Sequence, residues 1–248
     1  IAEGEYLLGE VGTVNGSLKS IKIEGLGTSK KSYLKHEEGK LYLVIEGVRD
    51  AATIIWNGLT SNIWDLSITA NFTMADEPTS TDVTFVSGDK VIFDDTANSL
   101  SPKVNSDIEA DTIFVDNTKR YYFSGSGKIT GNTTFVKRNT GKLVIACDND
   151  YKGGTRISGG SVEVSSLSNA NQATGNLGAV SNIVTNFIIE NGAELATTAA
   201  VQMGSPIRFE TPEGGIITNK ADFTMNKSFY GTKLTKAGTG WMKLNASN

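Results

Sequence analysis

The chain of 248 residues is short of several things on which common functions depend. It has one cysteine, Cys147, so neither an intramolecular disulfide nor a cysteine-based metal cluster can form, and the residue reads as a small buried apolar one. It has one histidine, His36, in the polar run YLKHEEGK, where it reads as a solvated loop residue. A Ser-His-Asp or Cys-His centre is therefore not expected. Basic residues number 23 against 27 acidic ones and form no run that would track a phosphate backbone, which argues against a nucleic-acid partner. No apolar stretch approaches the roughly 20 residues that cross a bilayer as a helix, so no membrane span is expected within this segment. The chain opens at Ile1 with neither a start methionine nor a signal peptide, and is expected to be a piece of a longer or processed precursor.

Glycine and threonine, 27 each, with 22 serines and 20 asparagines, favour turns and β-branched strands over helices. A hydrophobic content of 38% still supports an ordered core. Short apolar runs of strand length recur: LYLVI (41–45), TIIW (53–56), KVIF (90–93), YYF (121–123), KLVI (142–145), SVEV (161–164) and FII (187–189). Many start at intervals of about 8–12 residues, which suits a sandwich, a barrel or a β-solenoid. FVKRNTGKLVIACDN (135–149) aligns without a gap on LTKAGTGWMKLNASN (234–248), with Lys137 on Lys236, Thr140 on Thr239, Gly141 on Gly240 and Asn149 on Asn248.

The segment KRNTGKLVIACDNDYKGGTRISGGSVEV (137–164) resembles the autotransporter-associated β-strand repeat, K-x-G-x-G-x-L…N-x-Y-x-G-G-T…G-G-x-L-x-V. The match includes Gly141, Leu143, Asn149, Tyr151, Gly153, Gly154, Thr155, Ile157, Gly159, Gly160 and Val164, with Asn139 where the family usually has glycine. Upstream, WNGLTSNIWDLSITANF and FVSGDKVIFDDTA look like the segment that often precedes such repeats, and residues 16–45 resemble the close of a preceding unit. The resemblance implies an all-β fold, a right-handed parallel β-helix with a less regular N-terminal portion. Residues 1–50 would end a preceding β-rich unit, and residues 51–248 would form a β-helical segment continuing beyond 248. In a solenoid the two Gly-Gly pairs, 153–154 and 159–160, would be two corners of one rung; in an antiparallel sheet they would be two hairpin turns. The solenoid alternative points Leu143, Ile145, Ile157, Val162 and Val164 inward and leaves Thr155 to a ladder between rungs. Residues after about Lys233 would fray or pair end to end with another copy.

Candidate chemistry is sparse. Asp148 and Asp150 stand at i, i+2, but the rest of a calcium loop is missing, and no metal or other cofactor is implied. Asp94 and Asp95 are adjacent and would face opposite sides of a strand, unlike a glycosidase pair. None of Arg49, Arg120, Arg138 or Arg156 lies in a lyase-like signature. Possible glycan contacts are Arg120, Tyr121 and Tyr122, which could instead pack with their neighbours, and Trp241, at a variable position of the internal repeat. Trp56 and Trp64 suit core or cap packing better. The expectation is a noncatalytic segment of a large secreted or cell-surface bacterial protein, a scaffold, adhesin-like stalk or glycan-contacting module at the outer surface. Its partner would be an extracellular polysaccharide or a host surface glycan. The competing expectation is a polysaccharide lyase-like enzyme or its ancillary carbohydrate-binding domain.

Overall fold

The computed structural model describes residues 4–18, 21, 31–46, 49–80 and 83–245. Residues 19–20 and 22–30 of the upstream resemblance, and Asn248 of the internal repeat, lie outside the described residues. The chain divides into two compact units, Ile1–Ala51 and Ala52–Asn248.

The first unit is an antiparallel three-stranded sheet of β1 (Gly4–Glu10), β2 (Lys31–Glu37) and β3 (Lys40–Glu46), with β3 in the middle. His36 is not in a loop: it lies half-buried in β2, with Nε2 2.8 Å from the Val11 carbonyl oxygen. The Glu38–Gly39 turn follows it, with both residues at positive φ, and it is this turn that gives the surrounding sequence its polar character.

The second unit opens with β4 (Thr53–Trp56), β5 (Ile63–Trp64), β6 (Ala70–Met74), β7 (Val83–Thr84), β8 (Lys90–Asp94), β9 (Lys103–Val104) and β10 (Thr112–Asp116). Next come β11 (Tyr121–Phe123), β12 (Thr134–Arg138), β13 (Lys142–Ile145), β14 (Thr155–Ile157), β15 (Ser161–Val164), β16 (Phe187–Glu190) and β17 (Ala193–Thr197). It closes with β18 (Val201–Met203), β19 (Ile207–Glu210), β20 (Gly215–Asn219), β21 (Phe223–Met225), β22 (Phe229–Gly231), β23 (Leu234–Ala237) and β24 (Met242–Leu244). Apart from the antiparallel pairings of β6 with β4 and β7, these strands stack in parallel as a β-solenoid of about seven turns. The ten-stranded face runs β22-β19-β16-β14-β12-β10-β8-β4-β6-β7, a second face runs β11-β13-β15-β17-β20-β23, and a short third face runs β18-β21-β24.

Alternation along each strand builds the core, since a period of two sends every second side chain inward. On the ten-stranded face the inward ladders are Ile54, Val91, Ile113, Phe135 and Thr155, and beside them Phe93, Val115, Lys137, Ile157, Ile189 and Phe209. On the second face Tyr121, Leu143, Val162, Leu195 and Ile217 stack in register. The expected inward residues Leu143, Ile145, Ile157, Val162 and Val164 are all buried. Thr155 stands in the expected ladder, paired with Phe135 and Phe187 of the adjacent rungs, and it too points inward, where its hydroxyl lies 2.7 Å from that of buried Tyr151.

The Gly-Gly pairs are corners of parallel rungs, each preceding a strand of a different face. Both of the reasons that demand glycine apply. Gly154 and Gly160 have φ of +99° and +62°, and a Cβ on Gly153 would come within 2.4 Å of the Asn132 carbonyl oxygen of the preceding rung. The internal repeat, by contrast, does not mark equivalent faces. Strand β12 lies on the ten-stranded face and β23 on the six-stranded one. What recurs is the corner: Asn139 and Gly238 occupy the same left-handed position, and Lys137 and Lys236 each donate to carbonyls of the turn they precede.

Strand β4 is parallel to β8, while β6 pairs antiparallel with both β4 and β7, and these three finish one end of the ten-stranded face. Behind them Trp56, Trp64, Phe72, Phe85 and Phe93 form a buried aromatic cluster, with Trp64 at 5.1 Å from Phe93 and Trp56 at 5.3 Å from Phe72. Asp89 accepts from the backbone N–H groups of Ala52 and Val86, and Asn71 accepts from those of Thr60 and Ser61. At the other end β23 and β24 each pair on one side only and are largely exposed. Their amides should exchange with deuterium about 100-fold faster than those of β13 and β15. Equal protection in native-state exchange would show that the last rung is held by something beyond these ladders.

Candidate functional site

The sequence-predicted glycan contacts separate in space. Strand β11 turns Tyr121 and Phe123 inward and Tyr122 outward. Tyr121 is therefore not a surface contact: it is fully buried, its hydroxyl donates to the Asp94 carbonyl oxygen at 2.6 Å, and burial pushes its pKa well up. Tyr122 is 37% exposed, with the Arg120 guanidinium 5.8 Å from its ring centre. Trp241 is 82% exposed in the turn between β23 and β24. Tyr122 lies on the first strand of the six-stranded face and Trp241 follows the last, so five strand spacings, roughly 24 Å, divide them. They do not form one sugar subsite.

The acidic pairs are engaged locally. Asp95 is held below the usual carboxylate range by the Thr118 hydroxyl and by the Lys119 and Thr118 backbone N–H groups. Burial would raise Asp150, but Lys128, 2.7 Å away, and Thr130 bring it below its ordinary value. Asp148 accepts instead from the Ser166 hydroxyl at 3.1 Å. Among the described residues no three His, Cys, Asp or Glu side chains gather as metal ligands. The thermal midpoint should therefore not move in excess EDTA. A midpoint that collapses in chelator and returns with calcium would refute this. The Cys147 thiol is buried and pushed up to about 11, so it is not a nucleophile at neutral pH.

Arg156, an outward residue of β14, forms ion pairs with Glu190 and, at 3.0 Å, with Glu210; Glu210 also takes Arg208 at 2.8 Å. This network staples three consecutive rungs, and of its members only Arg156 was singled out from the sequence; Glu190, Arg208 and Glu210 were overlooked. With its guanidinium committed to two carboxylates, Arg156 is poorly placed to neutralise a uronate.

The strongest irregularity of the solenoid is a long corner. Strands of the ten-stranded face start at residues 90, 112, 134, 155, 187, 207 and 229, so one rung takes 32 residues where the others take 20–22. Insertions in one repeat of a solenoid emerge as loops on one face, often the binding face. Here the excess lies between β15 and β16 and is firmly held. The Asn176 side-chain oxygen accepts from the backbone N–H groups of Ser165 and Ser166, its amide donates to the Cys147 carbonyl, and Asn149 donates to the Asn176 carbonyl. Leu167 and Leu177 are buried beneath, and a Cβ on Gly178 would meet the Tyr151 carbonyl oxygen at 2.6 Å and its ring at 2.9 Å.

Two open depressions flank this loop. One, of about 330 Å³, is lined by Ser165, Ser166, Asn169, Asn171, Gln172 and Gln202, among others. The other, of about 470 Å³, includes Asp107, Ser126, Lys128, Asp148 and Thr174. The Ser166–Asp148 hydrogen bond joins their linings. Carboxamides and hydroxyls both donate and accept, so such a lining suits a polyhydroxylated ligand. Sequence reasoning missed these residues because the Ser/Asn/Gly-rich stretch has no period; the signal was the stretched spacing itself. No protein family, curated protein or solved structure matches the chain.

Proposed function

We propose that the chain is a noncatalytic β-solenoid segment of a large secreted or cell-surface bacterial protein of the autotransporter-associated repeat kind, serving as an adhesin-like scaffold that contacts extracellular glycans. The observation that carries this reading is how the motif residues of 137–164 are used. Leu143, Tyr151, Thr155, Ile157 and Val164 fill the core, Asn149 pins the long corner, and the glycine pairs turn the chain. The motif is spent on building rungs, so what varies between them, the corner loop and the outward side chains, is what is presented to a partner. Binding to an array of bacterial and host glycans with no turnover supports the reading. Release of unsaturated sugars absorbing in the ultraviolet from a polyuronate would replace it with lyase chemistry. Immunolabelling of intact cells of the source bacterium tests the surface location; signal only after lysis would count against it.

A further inference from the structure

The short third face carries a row of side-chain amides that runs into the smaller depression. Gln202 on β18 is exposed, and its Oε1 accepts from Asn226 Nδ2 at 3.2 Å; Asn226 Oδ1 accepts in turn from Asn245 Nδ2 at 2.9 Å. The strands that bear or precede these residues, β18, β21 and β24, are in register with Met203, Met225 and Leu244 aligned, so Asn226 and Asn245 repeat at the spacing of neighbouring strands, about 4.8 Å, while Gln202, opposite Thr224, reaches Asn226 diagonally. At the depression end, Gly204 donates its N–H to the Ser168 carbonyl at 2.9 Å, and a Cβ there would come within 2.6 Å of the Asn169 Cα. The row thus passes without a break from Asn245 to the loop that bears Asn169, Asn171 and Gln172.

A carboxamide offers two N–H donors and two acceptor lone pairs. Along the row the ladder takes one donor from each asparagine and one lone pair from Gln202 and Asn226, which leaves capacity for a ligand. Asn171 and Gln172 are exposed at the rim, held by the Asn169–Gln172 turn. The spacing of Asn226 and Asn245 is close to the length of one pyranose in an extended glycan, so these two rungs would meet equivalent hydroxyls of successive sugars, with Gln202 reaching the same chain from two residues to one side. The lining of this depression contains no lysine or arginine. Lys243, in register with Gln202 through Thr224, stands on the last strand of the face.

We infer that Gln202, Asn226 and Asn245, with Asn171 and Gln172 at the rim, form an axial track for an uncharged polysaccharide lying along the solenoid. The inference rests on the glycan-contacting reading above and specifies both place and ligand class. It is tested on the full chain by isothermal titration with gluco-, manno- and xylo-oligosaccharides of two to six units, and with oligogalacturonates of the same lengths. At least one uncharged series should bind, with affinity rising with length. Gln202→Ala and Asn226→Ala should each weaken it about 3- to 10-fold with the thermal midpoint held, because each removes one hydrogen-bonding pair. Tyr122→Ala, on another face, should leave it unchanged. Binding that is lost in Tyr122→Ala but kept in Gln202→Ala and Asn226→Ala would overturn the track while leaving glycan contact standing. Preference for oligogalacturonate would overturn the uncharged class, and no binding by any series would overturn both the track and the reading beneath it.

Discussion

Ile157→Asp is expected to abolish the cooperative unfolding transition of the solenoid unit at temperatures where the natural chain is folded. Ile157 is fully buried and in register with Lys137 on one side and Ile189 on the other. A carboxylate there loses the packing of the isoleucine and enters an apolar stack. Truncation to alanine alone should remove about 2–5 kcal/mol. The aspartate adds the desolvation of a charge, which places the total above the 4–5 kcal/mol that marks an exceptional substitution. Lys137 does not rescue it, because the Lys137 ammonium is already turned away into the corner carbonyls of Arg138, Asn139 and Gly159. Chemical denaturation of the Ala variant and circular dichroism of the Asp variant check this; a near-natural midpoint for Ile157→Asp would mean that the inward ladder is wrong.

The second large effect concerns Lys137 itself. This lysine is fully buried in an inward ladder between Val115 and Ile157, and desolvation lowers its pKa to about 8, against weaker raising effects of Asp116 and Asp95. Below pH 8 both the folded and the unfolded chain carry the proton, and the folded state bears the full burial penalty. Between about 8 and the ordinary value of 10.5 the unfolded chain binds more protons, so folding stability gains with rising pH, by up to roughly 3 kcal/mol. Lys137→Met keeps an apolar stem of similar shape and removes this pH dependence. At pH 7 the loss of a donor to three carbonyls is offset by removal of the burial penalty, so the variant should be about as stable as the natural chain there and less stable than it near pH 10.5. Denaturation midpoints of both proteins from pH 7 to 10.5 give the comparison. Parallel curves would show that the carbonyls hold the ammonium charged, and a large loss at pH 7 would show that their bonds outweigh the burial penalty.

Much of the architecture was legible because it depends on local rules. Strand periodicity set the inward positions of β13, β14 and β15, and two glycine pairs announced corners that no Cβ could occupy. Asn139, where the resembled pattern has glycine, sits at φ +58°, a conformation that asparagine tolerates better than most residues. The failures have equally local causes. In Tyr121-Tyr122 two similar residues are adjacent and composition does not reveal the phase, so an inward tyrosine was grouped with an outward one. The ladder position of Thr155 was legible, but its inner partner Tyr151 was not, because that residue lies across a corner. The repeat 99 residues apart detected corner chemistry but not the face, since it is not a whole number of rungs: the ten-stranded face that begins a strand at Thr134 begins another at Phe229, and Leu234 already opens a strand of the next face. Of the candidate site, only the stretched spacing was present in the sequence; the row of Gln202, Asn226 and Asn245 exists only once three strands are brought into register.

The unequal rung also gives the molecule a mechanical signature. A solenoid pulled by its C-terminal end in an optical trap peels strand by strand from the open edge, and each released turn lengthens the tether by its own contour. Turns of 20–22 residues yield steps of roughly 70 Å, and the turn of 32 yields one of roughly 110 Å. The long step falls partway through the record, and the aromatic cluster of Trp56, Trp64 and Phe72 would be the last to yield. Force applied there is dissipated in small extensions before the aromatic cluster is reached.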